Sequence, residues 1–171
     1  MNKHYLKTLA IGCFSLSMLA HAADPVTLNI TGNIIASPCQ ISSDSVTKAI
    51  DLGQNIQASS LQAAGASSTW VPFTINLTSC PAGTTKAIMT MHGAADPARP
   101  ADLYLSTGTA TNVSVQLQMQ SGEPMGDGKS YTGNISSNAY SYNMQARAYS
   151  VSGGATPGTI SSVVTATFVY Q

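Results

Sequence analysis

Charged side chains are scarce in this sequence of 171 residues. Asp, Glu, Lys and Arg together make up 8% of it, well below the roughly 25% of an average globular protein. Seven basic residues balance seven acidic ones, so the formal net charge is zero. A chain without a basic patch is a poor partner for nucleic acid or for an anionic membrane surface. Its polar surface must consist mainly of Ser, Thr, Asn and Gln, and so little charge gives weak repulsion against self-association.

Residues that support acid–base or metal chemistry are also few. Glu123 is the one glutamate, and His92 is the one histidine after the first 21 residues. No Gly-x-Ser-x-Gly motif accompanies His92, and the aspartates are scattered, so a hydrolase triad is not indicated. The glycine-rich loops match neither a P-loop nor a dinucleotide fingerprint. One histidine and no Cys-x-x-Cys motif are too few ligands for a zinc or copper site. The sequence predicts neither an enzyme nor a cofactor.

Long apolar runs are missing, apart from one at the start. Lys3 and Lys7 precede about a dozen mostly apolar residues, fewer than the roughly 20 that a membrane span needs. Ala20-His21-Ala22 then offers small residues where a signal peptidase reads, so residues 1–22 are predicted to be a secretory signal peptide. Cleavage would leave 171 − 22 = 149 residues, with 7 − 2 = 5 basic and 7 acidic side chains. This predicts one exported domain without membrane insertion.

Cysteine occurs three times, and Cys13 lies inside the predicted signal peptide. Cys39 and Cys80 remain as an even pair in an oxidising compartment, which predicts a disulfide between them. Closing a loop of this length would stabilise the fold by about 4 kcal/mol in the chain-entropy model. Two free thiols or half of a metal site are the alternatives, and the shortage of histidine argues against the second.

The sequence does contain stretches in which apolar and polar side chains alternate, most clearly over Val26–Ala36. The apolar or small members of the row are Val26, Leu28, Ile30, Gly32, Ile34 and Ala36. The intervening residues are polar except for Ile35, so an extended chain would have one apolar and one mostly polar face. Gly32 leaves an empty place in the apolar row, where atoms of a partner could come close. The pattern fits an ordinary first strand, and it also fits a strand offered to another molecule.

Further strand signals recur about every ten residues, which predicts an all-β sandwich or barrel. An extended segment is predicted to begin at Pro38. Leu61 lies in a predicted loop whose sequence could also form one helical turn. Residues 121–131 are predicted to be a turn or hairpin region. The other predicted strands cover 49–53, 71–78, 87–92, 103–105, 113–120, 140–151 and 159–170. Residues 140–151 could also form a helix, but their tyrosines and the all-β context favour a strand. About six substantial strands follow Cys39, whereas an immunoglobulin-like sandwich has seven or more. The N-terminal strand of one molecule could therefore complete the sandwich of another.

Taken in order, these features resemble the pilin subunits of chaperone–usher fimbriae, and most closely a minor, adaptor-type subunit of type 1 fimbriae. The first motifs that carry the resemblance are a signal peptide followed by Ala23-Asp24, the extension 26–36 with its glycine, and Cys39. The later motifs are the segments 73–81 and 145–149, Gly158 fourteenth from the end, and Tyr170 second to last. One departure is Pro25, an extra residue ahead of the alternating run.

The resemblance implies an incomplete immunoglobulin-like sandwich that lacks its last strand, with residues 23–37 as an N-terminal donor-strand extension and residues 38–171 as the pilin domain. The apolar row of Val26–Ala36 would insert into the groove of a neighbouring subunit. The groove of this chain would first receive a strand of a periplasmic pilus chaperone. Its implied residues are Gly158, Val164, Ala166, Phe168, Tyr170 and Gln171, and basic residues of the chaperone would hold the terminal carboxylate of Gln171.

The function that the resemblance implies is that of a structural subunit of an adhesive fimbria, polymerised by donor-strand exchange. Its partners would be the chaperone, an outer-membrane usher and neighbouring fimbrial subunits, and it would pass through the periplasm to the extracellular fimbrium. Three alternatives remain open: a major shaft pilin, a single-domain adhesive pilin that binds a host glycan or protein, and a self-contained periplasmic immunoglobulin-like binding module. A tip adhesin with a separate sugar-binding domain is disfavoured, because the mature chain has room for one domain.

Overall fold

The computed structural model describes residues 27–171, so the predicted signal peptide and Val26 lie outside the described residues. The elements of this part are almost all strands. They are β1 (Gln40–Ile41), α1 (Ser43–Val46), a 3₁₀ turn (Ala58–Leu61), β2 (Ala66–Ser67), β3 (Val71–Thr78), β4 (Lys86–Gly93), β5 (Leu103–Leu105), β6 (Ser114–Met119), β7 (Ser130–Asn134), β8 (Tyr140–Ser150) and β9 (Val164–Tyr170). Within the described residues, no helix has the length and apolar character of a membrane span.

Two antiparallel sheets form the sandwich. The larger sheet has the order β1-β3-β8-β6-β5, with β2 paired separately to β8, and the smaller sheet has the order β7-β4-β9. Strand β8 shows how the sequence selects its faces: Tyr142, Met144 and Ala146 are buried, while Ser141 and Asn143 between them are exposed. Because successive side chains of a strand point to opposite faces, this alternation directs the apolar set inward. The two inner faces enclose one core, as in an immunoglobulin-like sandwich.

Methionine and tyrosine fill much of that core. Tyr104 and Tyr142 are completely buried, and each hydroxyl donates a hydrogen bond to a main-chain carbonyl. Tyr104 donates to the oxygen of Met125 at 2.9 Å, and Tyr142 donates to that of Ala87 at 2.7 Å. The apolar rings can therefore be buried without leaving a polar group unpaired.

The predicted disulfide between Cys39 and Cys80 is confirmed, with an S–S distance of 2.04 Å. It ties the segment before β1 to the end of β3, and both cysteines are buried. Close by, the buried Thr84 donates a hydrogen bond from Oγ1 to the carbonyl of Ser37 at 2.9 Å. The residues just before Cys39 are thus fixed against the turn between β3 and β4.

Strand β7 was not predicted, since the sequence around it indicated only a turn or hairpin over 121–131. Its residues include Ser130, Gly133 and Asn134, which have weak strand propensity. The strand forms because it pairs along residues 86–90 of β4. Pairing with a distant strand overrides the local preference.

Two predicted strands also differ from the structure, and one short helix was not predicted. No strand forms over 49–53, because the structure provides no hydrogen-bonded partner strand for these residues. The helical turn α1 was not predicted at all; it forms where the carbonyl of Ser42 accepts from the amides of Ser45 and Val46 at 2.8 and 3.2 Å. Serine and aspartate at 42–45 favour such local turns by hydrogen-bonding nearby groups. The predicted last strand is also shorter, since β9 begins at Val164.

The alternating N-terminal stretch belongs to neither sheet over its described residues 27–36. Its large apolar side chains remain accessible: Leu28 is 77% exposed, Ile30 is 90% exposed and Ile34 is 100% exposed.

Candidate strand-acceptor groove

Strand β9 forms an open edge of the smaller sheet, because β4 is its single neighbour among the described residues. The main-chain hydrogen bonds at the end of the β4–β9 pair show which main-chain groups of β9 are free. Lys86 and Gln171 exchange two main-chain hydrogen bonds, of 2.9 and 3.0 Å. Hydrogen-bonded pairs alternate along an antiparallel ladder, so residues 165, 167 and 169 direct their amides and carbonyls toward β4. Residues 164, 166, 168 and 170 direct theirs toward the open edge.

A groove of about 1280 Å³ runs beside this edge, between the two sheets. Residues 157–168 form one wall, and residues of the segment 41–59 form the other. Its floor is made by apolar side chains of the core: Phe73, Ile75, Met91, Val115, Leu117 and Ala146. The groove therefore offers core side chains below and unpaired main-chain groups along one side, which are the contacts that an added β-strand requires.

The alternation of β9 places four of the predicted groove residues on its inner face. Val164, Ala166, Phe168 and Tyr170 are partly buried against the core, whereas Val169 on the opposite face is 59% exposed. The Phe168 ring lies 5.9 Å from that of Tyr142 and stacks on that of Tyr170 at 6.4 Å. Burial raises the pKa of the Tyr170 hydroxyl, and Tyr170 itself lies outside the lining of the groove described above.

The predicted residue Gly158 also lines the groove, beyond the beginning of β9. Here the chain runs against residues 106–111 and is held by threonine side chains. Thr109 and Thr159 each donate a main-chain amide to the Oγ1 of the other, at 3.0 and 2.9 Å. A Cβ added at Gly158 would lie 2.4 Å from the amide nitrogen of Ala110. Only glycine permits this close approach of two main chains.

Replacing Gly158 by Ala is expected to destabilise this end of the groove by about 1–3 kcal/mol, because the atoms in its way belong to the main chain and cannot rotate aside. The melting temperature of the subunit with residues 26–36 appended after Gln171 should fall by about 2 °C or more. Pro157→Ala, at the exposed neighbouring position, serves as the control. Equal melting temperatures for Gly158→Ala and the native chain would contradict the expectation.

Gln171 extends the ladder by one residue beyond β9. Its carbonyl oxygen accepts from the amides of Thr85 and Lys86, at 2.7 and 2.9 Å. The turn that follows Pro81 therefore holds the C-terminus, and the same turn holds Ser37 through Thr84. The root of the N-terminal extension and the end of β9 consequently lie at the same pole of the domain.

The residues of the predicted donor strand are distributed as follows. Val26 lies outside the described residues, and Leu28, Ile30 and Ile34 are highly exposed. A Cβ added at Gly32 would meet no atom within 4 Å. Ala36 is partly buried, close to the point where the extension joins the domain.

The sequence did not identify the opposite wall of the groove as a functional element. Ile50 and Leu52 line it together with Asp51. The alternation of these residues was the available signal, and it led to a predicted strand over 49–53. In the folded chain the groove lies beside residues 49–53, so these residues pair with no strand.

No catalytic or metal-binding arrangement accompanies the groove in the described residues. His92 and Asp127 form an exposed pair, with the Nδ1 and Oδ1 atoms 3.8 Å apart. No group of three His, Cys, Asp or Glu side chains in the described part of the chain is placed to hold a metal ion. Among the described residues that line the groove, Lys48 and Asp51 carry ionisable side chains.

Comparison with known proteins identifies the family of the chain. The family described as "Fimbrial protein" matches residues 28–171. Protein FimG of Escherichia coli (strain K12) is 38% identical over 157 residues, which cover 91% of this chain and 90% of FimG. The S-fimbrial adhesin protein SfaS of Escherichia coli O6:K15:H31 (strain 536 / UPEC) is 34% identical, over 96% of this chain and 95% of SfaS.

A solved structure agrees with the fold. The P pilus rod subunit PapA aligns with a TM-score of 0.67 at 23% identity, over 79% of this chain and 100% of PapA. The similarity in sequence covers nearly the whole chain. The chain therefore belongs to the fimbrial protein family and is a structural subunit of a pilus.

Proposed function

We propose that this subunit polymerises by donor-strand exchange, with residues 23–37 as the donor strand and residues 38–171 as the acceptor domain. The observation that carries the proposal is the open edge of β9 beside a groove floored by core side chains. The exposed apolar row of the N-terminal extension supplies the complementary element. Each subunit thus has one end that donates a strand and one groove that accepts a strand.

The lengths of the two elements agree. Residues 26–36 would span about 34 Å in an extended strand, and residues 159–170 along the groove would span about 37 Å. Burying Leu28, Ile30 and Ile34 would contribute about 1.5–3 kcal/mol each, before the cost of ordering the strand. The alternation selects one register, because a slip by one residue would turn Thr and Asn side chains toward the core.

The composition of β9 supports pairing of its edge with another strand. Residues 164–170 include no charged residue and no proline, although such residues commonly protect edge strands from unwanted association. An unfilled groove would therefore make the free subunit prone to aggregate. We infer that a periplasmic pilus chaperone supplies a temporary strand, that its basic residues hold the carboxylate of Gln171, and that an outer-membrane usher directs the exchange.

Within the fibre we assign this chain to the minor, adaptor-type subunits that link tip and shaft. The 38% identity to protein FimG supports this position. Quantitative mass spectrometry of purified fibres tests the assignment. An adaptor should be present in a few copies per fibre, whereas a shaft pilin would be the most abundant component.

Donor-strand exchange is tested by expressing the chain in the periplasm with and without its chaperone and measuring soluble monomer. A second variant lacks residues 23–37 and carries residues 26–36 appended after Gln171. We expect soluble protein from the native chain only when the chaperone is present, and from the second variant without it. The matched control replaces Ile30 and Ile34 by Asp in the appended strand and should again be insoluble.

The opposite result would be a stable monomer formed by the native chain alone, with its own N-terminal strand inserted. Protease protection of residues 27–36 would identify that state. It would show a self-contained immunoglobulin-like module and would refute donor-strand exchange.

A further inference from the structure

The sandwich has two ends, and different loops form them. The turns 79–85 and 135–139 lie where β9 ends, and the first of them holds Ser37. We call this end the root pole, because the N-terminal extension leaves the domain here. The loops 106–111 and 156–161 are hydrogen-bonded to each other beyond the beginning of β9, and the second loop lines the groove there. We call this opposite end the mouth pole.

Main-chain hydrogen bonds hold the loops of both poles in place. At the root pole, the Cys80 amide donates to the carbonyl of Asn138 at 2.9 Å, and Nδ2 of Asn138 donates to the carbonyl of Cys80 at 2.8 Å. At the mouth pole, the Ala110 amide donates to the carbonyl of Thr159 at 3.0 Å. Each pole therefore presents a fixed surface.

Neither pole carries a charged side chain. Asp, Glu, Lys and Arg are all absent from residues 79–85, 135–139, 106–111 and 156–161. Two such surfaces can meet without repulsion between like charges and without the desolvation of an unpaired ion. A root pole and a mouth pole are thus electrostatically compatible.

Growth of a fibre determines which poles meet. If a donor strand entered the groove from the root pole of the acceptor, two root poles would face each other, and such a symmetric pair is closed to further addition. Entry from the mouth pole instead places a root pole against a mouth pole, and this head-to-tail contact can be repeated indefinitely. A pilus therefore requires the second arrangement.

The chain between the two poles is too short to keep them apart. Ala36 is the last member of the apolar row, and the carbonyl of Ser37 already accepts a hydrogen bond from Oγ1 of Thr84 at 2.9 Å. Each residue of an extended chain spans at most about 3.6 Å, so Thr84 of the donating subunit must lie within roughly 10 Å of the groove that holds Ala36. No residues remain to form a flexible linker.

We propose that consecutive subunits are in direct contact, root pole against mouth pole. The turns 79–85 and 135–139 of one subunit pack on the loops 106–111 and 156–161 of the neighbouring fimbrial subunit, whose groove holds the donor strand. The contact fixes the angle between the two subunits. This inference rests on the proposed donor-strand exchange, and it adds a second interaction surface outside the groove.

The test joins two copies of this chain in a defined pair. The donor copy carries residues 26–36 appended after Gln171, so that its groove is filled and its own extension is free. The acceptor copy is the chaperone-bound chain with Ile30→Asp, which is expected not to donate. Exchange of the chaperone strand for the free extension gives a dimer, and gel filtration measures its amount.

Introduced cysteines then report which poles are close together. Ala82→Cys is placed in the donor copy and Pro157→Cys in the acceptor copy, both at exposed positions, and the native Cys39 and Cys80 are already bonded to each other. A short bismaleimide should cross-link this pair at least about tenfold more than the control pair. In the control pair the acceptor copy carries Ala82→Cys, at its own root pole, in place of Pro157→Cys.

A flexible insertion separates the contact from the exchange. Gly-Ser-Gly-Ser placed between Ala36 and Ser37 of the donor copy leaves the donor strand unchanged and allows the poles to move apart. We expect the same amount of dimer, with cross-linking between Ala82→Cys and Pro157→Cys reduced about fivefold or more.

Dimers that cross-link equally in the test and control pairs, or in neither, would overturn the pole contact and leave donor-strand exchange intact. Cross-linking that the insertion does not reduce would have the same meaning. The absence of any dimer would instead refute donor-strand exchange between copies of this chain, and the pole contact would be refuted with it.

Discussion

Purified fibres are expected to lack this subunit when Ile30 is replaced by Asp. Ile30 lies in the middle of the apolar row and is 90% exposed in the chain, so the change leaves the core of the subunit itself intact. Insertion into a neighbour would require burial of a carboxylate where an apolar side chain should contact the groove. The loss should be at least about 3 kcal/mol, or more than a hundredfold in the equilibrium between free and inserted strand.

Immunoblots of fibre and periplasm provide the measurement for Ile30→Asp. The variant should accumulate with the chaperone in the periplasm, in amounts similar to the native chain, and be absent from fibres. Thr31→Asp is the matched control, because it adds the same charge to the adjacent residue on the polar side of the strand. Equal incorporation of Ile30→Asp and Thr31→Asp would show that the alternating row is not the inserted face.

Replacing both Cys39 and Cys80 by Ser is expected to lower the free energy of unfolding by about 4 kcal/mol. This is a large share of the roughly 5–15 kcal/mol that stabilises a typical domain. The bond also anchors the segment that leads to the proposed donor strand, through residues next to Ser37. Loss of the bond should therefore reduce the amount of folded subunit and the amount incorporated into fibres.

Urea unfolding of the subunit with residues 26–36 appended after Gln171 measures the effect of the two serines. The same protein treated with a reductant should behave like the double variant. Cys13→Ser, inside the predicted signal peptide, should leave the stability of the mature chain unchanged. A difference below about 1 kcal/mol between the double variant and the native chain would contradict the chain-entropy argument.

Much of the fold follows from local patterns. The strand over 71–78 was predicted because one face packs on the core and the other does not, so that a period of two is visible in the sequence. The strand over 140–151 was favoured over a helix because of its tyrosines and the all-β context. The disulfide was predicted because two cysteines remain after export to an oxidising compartment. Strand β7 was not predicted, because Gly133 and Asn134 pair with β4 despite their weak propensity.

The candidate site was predicted in part. The inner face of β9 could be read from the alternation of Val164, Ala166 and Phe168, and the family resemblance implied its role in a groove. The opposite wall around Ile50 and Leu52 could not be identified. Its strand-like pattern lacks a partner in the isolated chain, and a sequence does not show which strand of a sheet is absent.

The sequence by itself determined an exported all-β domain with one disulfide, scarce charge and an alternating N-terminal extension. These properties depend on composition and on periodicity over a few residues. Only the tertiary structure decided that β9 has a free edge, that Gly158 touches the main chain of Ala110, and that Trp70 stacks on Arg147. Each of these contacts joins residues far apart in the chain, and such pairings depend on how the two sheets are assembled rather than on local sequence.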